Sequence, residues 1–384
     1  MRPFRNENIE LLKLLKGWSY SHMAAASGVS LRRLENIRAG YTDFSEDDAR
    51  SIAAAAGFPL NFFVIKFDEF SVSDLTFRAT TRTPKKIVNR LSAEYALLST
   101  TVNRLVDREK LPTIADGLVE SLAPNYDPVQ DDASLDSRGI EQIAVDVREM
   151  LGEPSSGPID NVTWALEKAG FFTAPLISMS EPKDDDSRYS DGVTHPGAGA
   201  QVIGFAQQDF GDRQRMTLAH ELGHLILQRK RAPQSRAAKE NEAFLFAGAF
   251  LMPKDDAEQV LDSSMNLVDY RALKAEWGIS ISGLIMRAAK LGIINADRMR
   301  SLMVQLSARG WRKREPVHVE LERPVALKQI LGMQFGTVES AERSAIYTQD
   351  ASNFTGVPFS MLEYWANGLE KKNVPTELLD MDIL

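Results

Sequence analysis

The sequence contains no cysteine among its 384 residues. Disulfide bonds are therefore excluded, and so are zinc sites with thiolate ligands, which leaves histidine and carboxylate side chains to hold a transition metal. Histidine is also scarce, with 5 in the whole chain. Two histidines at the spacing of metal ligands are therefore unexpected by chance.

Long apolar runs are missing as well. No stretch approaches the roughly 20 residues that span a bilayer, and residues 1–17 carry charges instead of the apolar core of a signal peptide. We therefore expect a cytoplasmic protein with no membrane partner. Positive charge is in deficit, and the formal net charge of −8 argues against a protein that coats nucleic acid nonspecifically.

The most informative feature that is present is an H-E-x-x-H pattern at residues 220–224, set in an apolar run. On a helix, His220 and His224 project from one face and can share a tetrahedral zinc ion. Glu221 lies between them, where it can take a proton from a water bound to the metal. The alternative is an amphipathic core helix whose histidines are satisfied by hydrogen bonds. The apolar flanks and the scarcity of histidine favour the metal site.

A catalytic zinc needs three protein ligands and an open position, and two histidines with one glutamate are a standard set. Glu240 and Glu242 begin a second strongly apolar segment with helical spacing, which runs to residue 253. Because these glutamates are two residues apart, they point in different directions on a helix, and only one should reach the metal. The residues alone leave the choice between them open.

Short helices are predicted in the N-terminal region at residues 8–15, 19–28 and 31–38. Gly28 makes the turn between the second and the third, which is the layout of a helix-turn-helix. The side chains expected to contact DNA phosphates and base edges are Ser30, Arg32, Arg33 and Asn36. Residues 1–66 hold nine Lys/Arg against seven Asp/Glu. This weak basicity keeps open the alternative of a helix-turn-helix used for dimerisation or partner docking.

Strands are predicted shortly before the H-E-x-x-H segment, at residues 170–177, 191–195 and 200–206. They suggest a small curved sheet whose edge strand could pair with an extended peptide. Further helical patterns lie near the C-terminus, at residues 327–335, 338–352 and 359–368. This last region could be a sensor or an oligomerisation module.

The N-terminal helices resemble the XRE (Cro/repressor-like) helix-turn-helix family, whose final helices look like residues 48–59 and 61–63. The later motifs resemble the ImmA/IrrE metallopeptidase family. They are the run at 215–224 and a Glu-x-x-Ala pattern that is followed by Leu-Met-Pro at 251–253.

The second resemblance implies roles for individual residues. In the ImmA/IrrE family the glutamate three residues before the alanine is the third metal ligand, which implies this role for Glu240 beside His220 and His224. Glu221 would be the catalytic base. Phe244 stands where the family usually has Asn or Asp, so we expect one hydrogen bond around the ligands to be missing.

The predicted fold is multidomain, mainly α with α+β. The predicted parts are an XRE-type helix-turn-helix at 1–68, a helical connector and acidic linker at 69–135, a zincin-like α+β metallopeptidase with a small sheet at 136–310, and a C-terminal helical region at 311–384.

The resemblance implies a zinc-dependent peptidase that cleaves a protein partner, such as a transcriptional repressor, in a stress, prophage or defence response. Its expected cofactor is Zn²⁺, DNA is a further expected partner through the helix-turn-helix, and homodimer formation is allowed. The alternative is a DNA-binding transcriptional regulator or antitoxin, whose peptidase-like domain senses a ligand or binds a partner without turnover.

Overall fold

The structure is a computed structural model, and it describes residues 4–70, 75–76, 84–112, 114–124, 135, 137–180, 191–231, 235–336, 346–369 and 371–372. Within these ranges the protein is mostly helical with a small three-stranded sheet. This agrees with the predicted class, mainly α with α+β. The predicted domain boundaries stay a prediction.

The α-helices of the described ranges are α1 (Glu7–Lys16), α2 (Tyr20–Ser27), α3 (Leu31–Arg38), α4 (Glu46–Ala56), α5 (Lys85–Glu109), α6 (Ile114–Leu122), α7 (Ser137–Met150), α8 (Val162–Lys168), α9 (Ile177–Ser180), α10 (Gly211–Leu227), α11 (Arg236–Leu251), α12 (Lys254–Val260), α13 (Leu267–Trp277), α14 (Ile281–Lys290), α15 (Ala296–Ala308), α16 (Ala326–Phe335), α17 (Thr348–Thr355) and α18 (Phe359–Trp365). A short 3₁₀ helix covers Leu60–Phe63.

The strands of the described ranges are β1 (Phe172–Pro175), β2 (Gly192–Thr194), β3 (Val202–Phe205), β4 (Ile346–Tyr347) and β5 (Lys371–Lys372). The first three form a sheet in the order β1-β3-β2. β2 and β3 run antiparallel, with Val193 opposite Gly204. β2 therefore stands at one end of the strand order. The predicted strands at 191–195 and 200–206 are confirmed.

Contacts divide the chain into two compact units. The first unit comprises residues 1–112, 174–190 and 324–384, and the second comprises residues 113–173 and 191–323. In the second unit, α7 and α10 both pack against α11. Their contacts bury an apolar core that includes Val147, Leu222 and Phe250. The H-E-x-x-H helix, α10, thus lies in the interior of its unit.

In the first unit, α1 to α4 are short helices with defined ends. Ser19 and Ser30 cap α2 and α3, because their side chains accept hydrogen bonds from the backbone at the starts of these helices. Gly28 ends α2 with a left-handed φ of 73°, a conformation that glycine adopts without strain. Leu34 and Ile37 of α3 are buried, as their spacing predicts.

Two predicted elements differ from the structure. The strand predicted at 170–177 ends at Pro175, because the backbone N–H groups of Ile177 and Ser178 donate to the buried Glu94 carboxylate and a short helix begins there. The prediction of a helix at 338–352 is wrong at residues 346–347, because these two residues form strand β4, which pairs in parallel with β5. Residues 337–345 lie outside the described residues, as do residues 125–134 of the predicted acidic linker.

Candidate metal centre

Two helices of the second unit carry the predicted metal ligands. His220 and His224 lie on α10, and Glu240 lies on α11. Gly223 allows the two helices to approach closely, since a Cβ atom at this position would lie 2.9 Å from a ring carbon of Phe246. The close packing brings side chains that are 16 residues apart in sequence to one place.

The side-chain atoms of these three residues converge. The Nε2 atoms of His220 and His224 are 3.1 Å apart. The Glu240 carboxylate oxygens lie 3.5 Å from Nε2 of His220 and 3.9 Å from Nε2 of His224. One ligand atom from each residue lies within 4.8 Å of the others.

These separations fit a zinc ion. Zinc ligands bond at about 2.0–2.1 Å, so two ligands of a tetrahedral site lie about 3.3 Å from each other. The observed separations, 3.1, 3.5 and 3.9 Å, lie around that value. Imidazole nitrogen and carboxylate oxygen are also the donor types that catalytic zinc sites use.

The protonation of His224 suits a metal ligand. Burial lowers the pKa of its imidazole well below the usual value, and the neighbouring His220 lowers the pKa further. His224 is 1% exposed. A neutral imidazole has a lone pair to offer, which is the form that binds metal.

Glu242, the other candidate ligand, points elsewhere. Its carboxylate accepts hydrogen bonds from the Arg231 guanidinium at 2.7 and 3.3 Å, and from the backbone N–H of Leu135 at 2.8 Å. Both Glu242 and Arg231 are buried. The structure therefore brings Glu240, and not Glu242, to the two histidines.

Glu221, the predicted base, is buried at 1% exposure. Its side chain lies against Gly192, the first residue of β2. A Cβ atom on Gly192 would lie 2.6 Å from both Cγ and Oε1 of Glu221. This is well inside van der Waals contact, so the position of Glu221 requires glycine at 192.

The four residues predicted to contact DNA lie at α3, in the first unit. Ser30 is its cap, because its hydroxyl accepts a hydrogen bond from the backbone N–H of Arg33 at 3.3 Å. The Arg33 guanidinium donates to both carboxylate oxygens of Asp48, at 2.7 and 2.5 Å. Arg32 is exposed and Asn36 is half-buried. Within the described residues, the side chains of these two make no hydrogen bond to the protein.

Two residues beside the predicted site residues were not predicted from the sequence. One is Gly192, which has no signal along the chain because its role depends on a helix from another part of the sequence. The other is Gln228, whose side-chain Nε2 lies 2.6 Å from Nδ1 of His224. Its spacing of four residues from His224 on one helix could have identified it.

Comparison with known families agrees with this geometry. Residues 176–288 match the Peptidase_M78 family, described as the IrrE N-terminal-like domain. The match includes α10, α11 and all the converging side chains. It begins at residue 176 and so does not include the N-terminal helices. It supports a metallopeptidase-like domain of the ImmA/IrrE type in this part of the chain, and domains of this family depend on a metal that is typically zinc. No curated protein matches the chain.

Among the described residues, no helix combines the length and the apolar character needed to cross a bilayer.

Proposed function

We propose that the second unit is a zinc-dependent peptidase. His220, His224 and Glu240 would hold the metal, and Glu221 would act as general base. The observation that carries this proposal is the convergence of three ligand atoms within 4.8 Å of one another, in a stretch that matches a metallopeptidase family.

Zinc held by such a set acts as a Lewis acid that lowers the pKa of a bound water towards about 7 and polarises a carbonyl group. Glu221 follows His220 directly on α10, so its carboxylate is carried by the helix that carries two ligands. The carboxylate would accept a proton from the attacking water and then pass it to the leaving amine. Burial of Glu221 excludes bulk water from this transfer.

An extended peptide is the form of substrate that this arrangement favours. β2 stands at one end of the strand order β1-β3-β2, and its first residue lies against Glu221. Addition of a strand to a sheet edge is a common way to bind an extended segment. We therefore propose a protein substrate. By the family resemblance it would be a repressor-like protein, cleaved in a stress, prophage or defence response.

For the first unit we propose contact with DNA through α3. Support comes from the Gly28 turn between α2 and α3 and from the outward position of Arg32 and Asn36. Arg33 would contribute indirectly, since it joins α3 to Asp48 at the start of α4. A sequence-specific contact would make the protein a peptidase-regulator rather than a peptidase alone.

The test compares full-length wild type with Glu221→Gln. We expect one zinc per chain in both by elemental analysis, because Glu221 is not a ligand. Cleavage of a repressor-like protein encoded beside this one should be lower by about 10²–10⁴-fold in the variant.

Two results would contradict the peptidase. One is a wild type without zinc, and the other is a Glu221→Gln variant that keeps full biological activity while the wild type cleaves no partner. The second result would favour a regulator whose peptidase-like domain senses a ligand or binds a partner without turnover.

A further inference from the structure

The imidazole of His224 has a contact on each side. Its Nε2 lies 3.1 Å from Nε2 of His220 and faces Glu240. Its Nδ1 lies 2.6 Å from the side-chain amide of Gln228. Gln228 ends α10, and its backbone N–H donates to the carbonyl of His224 at 3.2 Å. The side chain of Gln228 is therefore held against the ring by the helix end.

Metal binding requires one tautomer of this ring. A neutral imidazole carries its proton on one nitrogen and a lone pair on the other. For Nε2 to offer its lone pair toward His220 and Glu240, the proton of His224 must be on Nδ1. The structure places the NH₂ group of Gln228 against Nδ1. The oxygen and the NH₂ group of a terminal amide have nearly equal outline, so turning this amide by 180° puts its oxygen at the same contact, where it accepts from Nδ1–H.

The two histidines differ in this respect. Within the described residues, the ring nitrogen Nε2 of His220 lies near His224 and Glu240, and its Nδ1 makes no hydrogen bond. Phe244 lies one helical turn after Glu240 on α11, and its side chain has no hydrogen-bonding group. Among the described residues, Gln228 is therefore the side chain that contacts the second ring nitrogen of a predicted histidine ligand.

We propose that Gln228 is a positioning residue for the metal centre. It accepts the Nδ1 proton of His224 and so holds the imidazole with Nε2 toward the metal. This inference rests on the proposed zinc site and deepens it. Loss of a hydrogen-bonding partner behind a ligating histidine typically costs about 10–100-fold in metal affinity.

The experiment measures the zinc dissociation constant of the full-length protein by competition with a chromophoric chelator. Gln228→Leu and Gln228→Ala remove the acceptor, and both should bind zinc about 10–100-fold more weakly. Gln228→Glu keeps an acceptor oxygen and should retain affinity within a few-fold of wild type. Gln142→Leu is the matched control, since Gln142 is exposed on α7 and its side chain bonds to Asp146. It should bind zinc as the wild type does.

A second readout separates positioning from a general loss of stability. In zinc-loaded, ¹⁵N-labelled wild type, the Nδ1–H proton of His224 should be protected from exchange and visible in the spectrum. The chain has only 5 histidines, which makes its assignment practicable. The signal should persist in Gln228→Glu and broaden or vanish in Gln228→Leu.

The outcomes distinguish this inference from the proposed function. If wild type binds zinc and Gln228→Leu or Gln228→Ala binds it equally well with the His224 signal intact, the role of Gln228 is wrong and the zinc site stands. If the wild type binds no zinc, both proposals are wrong.

Discussion

Helices α10 and α11 carry the predicted metal ligands, and helix α3 carries the residues predicted to contact DNA. The two regions place these side chains in opposite ways. On α10 and α11 the side chains point inward and meet one another, with His224 and Glu221 each 1% exposed. On α3 the side chain of Arg32 is exposed and that of Asn36 is half-buried. The first site is assembled by the protein itself, whereas the second would be complete only with a partner.

Because of this difference, the two regions should respond differently to substitution. Convergence of ligand atoms is an observation within the molecule, so the geometry itself tests whether a metal fits. An outward arginine is compatible with DNA, with a protein partner or with solvent. Inward sites should therefore respond to substitution in metal content and stability, and outward sites should respond only when the partner is present.

The largest contrast is expected between the two glutamates of α11. Glu240→Ala removes a ligand, so it should lower zinc affinity by more than the ~100-fold that is typical of losing a hydrogen-bonding partner behind a ligand. The fold should remain stable. Glu242→Ala should keep the zinc site, but it removes the carboxylate that accepts from the buried Arg231 guanidinium, and loss of one member of a buried ion pair typically costs about 3–5 kcal/mol. Zinc titration and urea denaturation of both variants measure this. Equal zinc affinities in the two variants would contradict the assignment of Glu240.

Gly192→Ala tests the contact between the edge strand and the base. The added Cβ would lie 2.6 Å from Glu221, so the carboxylate must move, and displacement by about 1 Å can cost about 100-fold in turnover. Zinc content should not change. Gly117→Ala is the control, because a Cβ there meets nothing within 4 Å. Steady-state cleavage rates decide, and a Gly192→Ala enzyme as fast as Gly117→Ala would exclude this positioning role.

On α3, Arg32 and Arg33 should separate binding from stability. Arg32→Ala should weaken binding to the promoter of its own gene by about 1–3 kcal/mol and leave the melting temperature unchanged, because its side chain is exposed. Arg33→Ala should also lower the melting temperature, since it loses Asp48. Salt-dependent gel shifts and thermal melts measure both. DNA binding that is unaffected by Arg32→Ala would remove this residue from the interface.

The smallest effect is a pH dependence at Asp48. The hydrogen bonds from Arg33 hold the pKa of this carboxyl below its usual value of 3.8. Its contribution to stability is therefore complete above about pH 4 and is lost as the pH falls through the lowered pKa. Asp48→Asn should lose part of the acid dependence of stability below pH 4. Denaturation midpoints between pH 2 and 6 test this, and an unchanged profile would contradict it.

Local patterns in the sequence predicted much of this structure. The helix caps Ser19 and Ser30 and the helix carrying His220 and His224 depend on residues within one or two turns, so spacing alone identifies them. The limits of the first strand could not be predicted in this way. β1 ends at Pro175 because Glu94, far away in sequence, binds the backbone that follows.

The sequence by itself determined the chemistry available to this protein. Without cysteine, a metal must be held by histidine and carboxylate, and helical spacing places two histidines on one face with a glutamate beside them. Only the tertiary structure decided that Glu240 joins them while Glu242 pairs with Arg231, and that Gly192 makes room for the base. Spacing within one helix is set by local geometry, whereas these choices depend on contacts between separate elements, which no short stretch of sequence specifies.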